Sequence, residues 1–236
     1  MAIEQQKKLA QKIHLIDKQP SPRYIAGIDV GFEQKGQITR AAVALLSFPE
    51  LSLIDFAVAR RPTQFPYIPG LLSFRELPAI LDAMNLLALL PDLLMIDGHG
   101  IAHPRRFGLA CHIALITSLP SIGVGKSRLI GTHELISDKN TNQNLIHHGE
   151  IIGKVIQSRI KARPIYISPG NNISLDHSVE LVLASLKGYR LPEPMRWAHR
   201  IASDPKNKLL RALSQEKNLI ERVRNHVERQ NPDEIC

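Results

Sequence analysis

Two aspartates each end a short apolar run and open into a glycine-containing turn: Asp29 in IAGIDVG and Asp97 in LLMIDGHG. A continuous apolar run bounded by Pro or Gly predicts a strand buried on both faces of a sheet. Ligands of open α/β sheets collect beyond the carboxyl ends of such strands. If the two strands are parallel neighbours, their carboxylates stand side by side, where they repel and cannot both ionise cheaply. A divalent cation resolves that repulsion, and all-oxygen donors favour Mg²⁺ or Mn²⁺. Glu76, in a helical stretch after FPYIPG, is a candidate third acid. Taken singly, each Asp is equally well explained as a turn residue bonding its own backbone, and Glu76 as part of a solvated helix face.

Gly123, Gly125 and Lys126 in GVGKS resemble the end of a phosphate loop, but the position that needs the first glycine holds Pro120. The nucleotide-hydrolysis pattern therefore fails. A lysine after a strand and two glycines remains a good phosphate contact, because glycine lets a backbone approach closely; the plainer alternative is a surface lysine. His133-Glu134 lacks the second His of a zinc-protease helix, Ser137 standing in its place, and there is no G-x-S-x-G elbow. His147 and His148 lie without Cys or acid at ligand spacing and read as solvated.

These residues need a scaffold. Apolar spacing predicts a helix over 3–16, then strands over 24–32, 38–48 and 53–60 in an antiparallel meander. A proline-stiffened loop, 66–70, precedes a helix over 71–90 that Pro78 kinks or begins. After the strand ending at Asp97 come a helix over 105–117 and a strand over 121–124. Residues 132–149 read as an irregular surface loop, 150–159 and 164–168 as strands, and 175–187 as a helix. The fold class is α/β, a mixed sheet with helices on both faces. A charged helical extension occupies 203–236, after a domain over 1–202.

The chain has 236 residues, 30 basic against 22 acidic, for a net charge of +8. That excess favours a polyanionic partner. No apolar run reaches the roughly 20 residues of a membrane span, and residues 1–17 lack a secretory pattern. Cys111 and Cys236 make no disulfide or metal framework, so a reducing cytoplasm is expected.

The segments YIAGIDVGF, FPYIPGLLSFRELPAIL, LMIDGHGIAHPRRFGLACH, SIGVGKS, PIYISPGNNISL and GYRLPEPMRWA, in this order, resemble the endonuclease V family across about residues 5–202. The resemblance implies a ribonuclease H-like fold and a monomeric DNA repair endonuclease. Such an enzyme recognises deoxyinosine, in duplex, mismatched or single-stranded DNA. It hydrolyses the second phosphodiester bond 3′ to the lesion, leaving 3′-hydroxyl and 5′-phosphate ends. It also implies Asp29, Glu76 and Asp97 as ligands of Mg²⁺, with Mn²⁺ as substitute, and Lys126 and His199 as further catalytic residues. Pro66, Tyr67, Ile68 and Pro69 match a strand-separating wedge, whose prolines fix the loop before it enters the duplex. Gly70, Leu72, Gly98, Gly100, His103, Gly108 and Gly123 match a pocket for the extruded base. Arg105 and Arg106 suit backbone phosphates. Two other readings stay open: an endoribonuclease for inosine in RNA, and a catalytically silent, structure-specific DNA-binding protein.

Overall fold

A computed structural model describes residues 1–18, 21–136, 141–204, 206, 208, 209 and 211–215. The helix α1 (Ala2–Ala10) leads into the meander of β1 (Tyr24–Glu33), β2 (Ile38–Ser47) and β3 (Leu53–Pro62), antiparallel as expected. The helix α2 (Leu72–Met84) crosses to β4 (Leu93–Ile96), which pairs in parallel with β1. A second crossover, α3 (Leu109–Thr117), leads to β5 (Ser121–Gly125), parallel to β4. The hairpin of β6 (Asn142–His147) and β7 (Glu150–Ile156) and then β8 (Ile165–Asn171) complete an eight-stranded sheet of order β3-β2-β1-β4-β5-β8-β7-β6. The helices α4 (Leu175–Ala184) and α5 (Glu193–Ala202) close the unit. This is the mixed, ribonuclease H-like sheet that the sequence implies.

Period-two alternation decides which face each strand residue serves. Ala26, Ile28, Leu94 and Ile96 pack with Leu77 and Ile80 of α2 and Ile113 of α3. Their neighbours Ile25, Leu93 and Met95 turn to the other face, against Val179 and Val182 of α4 and Met195 of α5. A third cluster, with Phe107, Cys111, Leu145 and Tyr166, receives Leu9 and Ala10 of α1. Both faces of β1 and β4 are thus covered, which is why their sequences read as unbroken apolar runs.

Several expectations need correction. Residues 142–147, expected to be irregular, form β6. This is an edge strand: only Gln143 and Leu145 turn inward, so its polar sequence lacks a strong apolar alternation. Residues 137–140 of that stretch lie outside the described residues. The helices expected over 3–16, 71–90, 105–117 and 175–187 are shorter at one or both ends; α2 stops at Met84, and Leu86 and Leu90 beyond it are exposed. Helix α5 was not anticipated, although Pro194 suits its first turn and Met195, Ala198 and Ile201 form a buried stripe.

Contacts divide the chain into the units Met1–Ala202 and Ser203–Cys236. Residues 211–215 of the second are helical, and the expected helical stretch 216–236 lies outside the described residues. Among the described residues, no helix is long and apolar enough to cross a membrane.

Candidate active site

The register of β1 and β4 sets the site. Ile28 is paired with Ile96, and the Asp97 amide donates to the Ile28 carbonyl at 3.0 Å. Asp29 and Asp97 therefore stand at the same level on adjacent strands, one strand spacing of about 4.8 Å apart at the backbone. Asp97 follows the end of β4, whereas Asp29, expected to end its strand, lies inside β1, which continues to Glu33 along β2. Lys126, one residue beyond β5, reaches the same point from the next strand. Its ammonium lies 2.5 Å from Asp97 Oδ2 and 3.9 Å from Asp29 Oδ2. His199 arrives from α5, with Nδ1 2.7 Å from Asp29 Oδ2, while Asp29 Oδ1 accepts from the Val30 amide at 2.8 Å.

Helix α5 reaches Asp29 because β1 is bare where the two cross. A Cβ on Gly27 would stand 1.9 Å from the Pro194 carbonyl oxygen. At the other end of the helix, the fully buried Arg40 donates to the Ala202 carbonyl and pairs with Glu33 at 3.4 Å. His199 is held at both ends of its element.

Glu76 is buried, 6% exposed, on the sheet-facing side of α2, and does not belong to a solvated face. Burial, then the charges of Asp29 and Asp97, push its carboxyl up to about 8. Asp97 is raised to about 6 by burial and by Asp29, against the opposing pull of Lys126. The three acids thus feel one another, and the nearby positive charge does not compensate them. Among the described residues no three His, Cys, Asp or Glu side chains already stand as a finished ligand set. The donor chemistry nevertheless fits a hard divalent cation: Asp29, Asp97 and Glu76 supply only oxygens, and added positive charge relieves their repulsion.

Beside the acids opens a cavity of about 190 Å³, lined by Tyr67, Ile68, Gly70, Leu72, Gly98, His103 and Asp97, among others. Its walls are residues 67–70 of the proline-stiffened loop, the first turn of α2 and the glycine-rich turn after β4. His103 is neutral there: burial and the neighbouring Arg105 lower it to about 4. Its Nδ1 accepts from the Arg105 amide at 3.2 Å, so Nε2 carries the proton and donates to the Gly70 carbonyl at 3.1 Å. Tyr67 is 69% exposed at the loop tip.

Not all of the remaining expected residues reach the cavity. Gly108 and Pro69 line the cavity, while Pro66, Gly100 and Gly123 are not among its lining residues. Gly100 and Gly123 serve close backbone packing instead. A Cβ on Gly100 would meet the Pro169 carbonyl oxygen at 2.0 Å, and one on Gly123 the Gly100 nitrogen at 2.4 Å. Arg105 donates to Gln6 and Gly70, and Arg106 pairs with Glu150 at 2.8 Å, so both guanidiniums have protein partners. Gln6, Ser73, His99, Phe107 and Leu129 also line the cavity and were not anticipated. Only His99, between the glycines of DGHG, carried a signal in the sequence.

An acid within β1, a second just past the end of its parallel neighbour β4, a third on the crossover helix and a lysine after the next strand define a nuclease acting on phosphodiester bonds. Residues 7–200 match the endonuclease V family, and the chain belongs to it. It is 49% identical over 205 residues to an endonuclease V of Trichormus variabilis, covering 86% of this chain and 93% of the relative. The solved endonuclease V of Streptomyces avermitilis is similar with a TM-score of 0.80 at 32% identity, covering 92% of this chain and 93% of the other. Similar too is a Ciona intestinalis endonuclease V in complex with a 24mer DNA containing an inosine followed by a ribo-adenosine. Its TM-score is 0.78 at 25% identity, over 88% of this chain and 97% of the other.

Proposed function

We propose that this chain recognises deoxyinosine in DNA and hydrolyses the second phosphodiester bond on its 3′ side, leaving 3′-hydroxyl and 5′-phosphate ends. The observation that carries the reading is the double membership of Asp97, which lines the base-sized cavity and belongs to the acidic cluster. A base held in that cavity keeps its strand beside the acids. Extruding a base costs a few kcal/mol, least where pairing is already weak, as it is for a deaminated adenine. Tyr67 and Ile68, exposed on a loop fixed by two prolines, are placed to fill the gap it leaves.

Asp29, Asp97 and Glu76 are the residues that would hold Mg²⁺ or Mn²⁺. Such a cation, when bound, supplies Lewis acidity toward the scissile phosphate. Lys126, freed from its carboxylates, stabilises the charge that grows on the phosphate oxygens. His199, bonded to Asp29, keeps that carboxylate oriented. The enzyme acts as a monomer, and a reducing cytoplasm suits the buried free thiol of Cys111.

A second reading, cleavage of inosine-containing RNA, is favoured by the ribo-adenosine after inosine in the DNA bound by the Ciona relative. Cleavage of end-labelled inosine duplex, with Mg²⁺ and with chelator, tests the proposal, and the same assay on RNA ranks the two substrates. Cation-dependent cutting one bond beyond the lesion's 3′ neighbour supports it. Tight lesion binding without cutting would leave only a structure-specific binding protein.

A further inference from the structure

The Gly70 carbonyl accepts from three side chains at once. Gln6 Nε2 donates at 2.9 Å, Arg105 Nη2 at 2.6 Å and His103 Nε2 at 3.1 Å. A carbonyl oxygen offers two lone pairs, so this acceptor is saturated, and one of its donors is charged. Gln6 is 1% exposed and uses every polar group it has. The same Nε2 also donates to the Phe107 carbonyl at 3.2 Å, and Oε1 accepts from Arg105 Nε at 2.5 Å. Gly70 itself sits at φ +77°, and a Cβ there would stand 2.6 Å from Arg105 Nη2. The guanidinium packs on the bare Cα. Three separate pieces of chain, α1, the residues before α3 and the end of the 66–69 loop, are thereby tied at one atom.

That atom lies where the loop rejoins the fold, and both Gly70 and Gln6 line the cavity. Tyr67 and Ile68, by contrast, are exposed at the tip. The loop is free where it would meet a duplex and fixed where it leaves. We propose that Gln6 and Arg105 are positioning residues for base extrusion, which clamp Gly70 and so hold the 66–69 loop and the cavity wall at the spacing that admits the flipped base. This rests on the deoxyinosine reading above.

Gln6→Glu tests it. The isosteric carboxylate still accepts from Arg105 but has no donor for the Gly70 and Phe107 carbonyls. Arg105→Lys is the second variant, keeping the charge while losing the fork that reaches Gln6 and Gly70 together. Each is expected to raise KM for an inosine duplex about tenfold, a change worth about 1.4 kcal/mol, with the loss falling on KM and not on kcat. Each should also weaken the fluorescence rise of 2-aminopurine placed opposite the lesion, which reports unstacking. Parental KM and fluorescence in both variants would overturn the clamp while leaving the substrate intact, and so would a loss confined to kcat. A parent enzyme that leaves inosine duplex uncut would instead remove the reading on which the clamp rests.

Discussion

The ammonium of Lys126 touches Asp97 Oδ2 at 2.5 Å, with Asp29 Oδ2 on its other side at 3.9 Å. It stands where a cation shared by those two carboxylates would stand, and from there it cannot also serve a phosphate. Lys126→Met should therefore bind Mn²⁺ more tightly than the parent in the absence of DNA, measured by titration calorimetry. The same variant should cut inosine duplex about 10²–10³-fold more slowly, the cost of losing one charged donor to the transition state. Unchanged Mn²⁺ affinity would mean that lysine and cation do not compete.

Cation loading should depend on pH through the carboxyls. Glu76, pushed up to about 8, and Asp97, at about 6, hold protons that a metal must displace. Affinity for Mg²⁺ or Mn²⁺ should therefore rise with pH between 6 and 8, and binding at pH 7 should release about one proton. Calorimetry in two buffers of different ionisation enthalpy counts that proton. Glu76→Gln should abolish the release, and release persisting in this variant would take Glu76 out of the ligand set.

Gly27→Ala should be costly despite its small size. The added methyl would lie 1.9 Å from the Pro194 carbonyl oxygen, a backbone atom, so α5 must lift off β1. Overpacking of this kind costs about 1–3 kcal/mol. Because α5 carries His199, the contact of its Nδ1 with Asp29 at 2.7 Å should loosen as well. Urea denaturation should show the lost stability, and cleavage should fall beyond what the unfolded fraction explains. A variant as stable as the parent would refute the close crossing.

How much of this was written in the chain follows from burial. Asp29 and Asp97 were legible because each follows an apolar run buried on both faces, although only β4 stops there: β1 continues past Asp29 to Glu33, where pairing with β2 alone carries it on. The edge strand β6 was not, since an edge has one ladder and one half-covered face, and Asn142 and Asn144 carry no alternation to detect. Glu76 lies at helical spacing whichever way it points, and only the packing of α2 on the sheet turns it inward. Helix α5 hid behind polar neighbours, Arg196, His199 and Arg200 matching in number its buried stripe of Met195, Ala198 and Ile201 over a short span. Gln6 gave no signal at all, because its three partners come from residues 64 to 101 positions away.

Acid sensitivity should come from histidines far from any charge relief. His112 on α3 is 5% exposed, its Nδ1 3.0 Å from the Ser73 hydroxyl and its ring 5.0 Å from Phe74 and 5.2 Å from Phe107. Burial lowers it to about 4, against 6.5 in an open chain. Between those values the unfolded chain binds the proton and the folded one does not, so stability is full above pH 6.5 and is lost as pH falls toward 4. One such histidine accounts for about 3 kcal/mol across that window, at 1.36 kcal/mol per unit. His99 and His103, also lowered to about 4, act in the same direction. Glu76 acts in the opposite one, gaining stability as pH falls from about 8 toward its ordinary value. The parent must therefore be compared with His112→Gln, in which those other groups cancel and an amide can still bond Ser73. Urea midpoints at pH 7 and pH 5 should fall less in the variant than in the parent. Equal falls would show that His112 takes up its proton in the folded protein as readily as in the unfolded one.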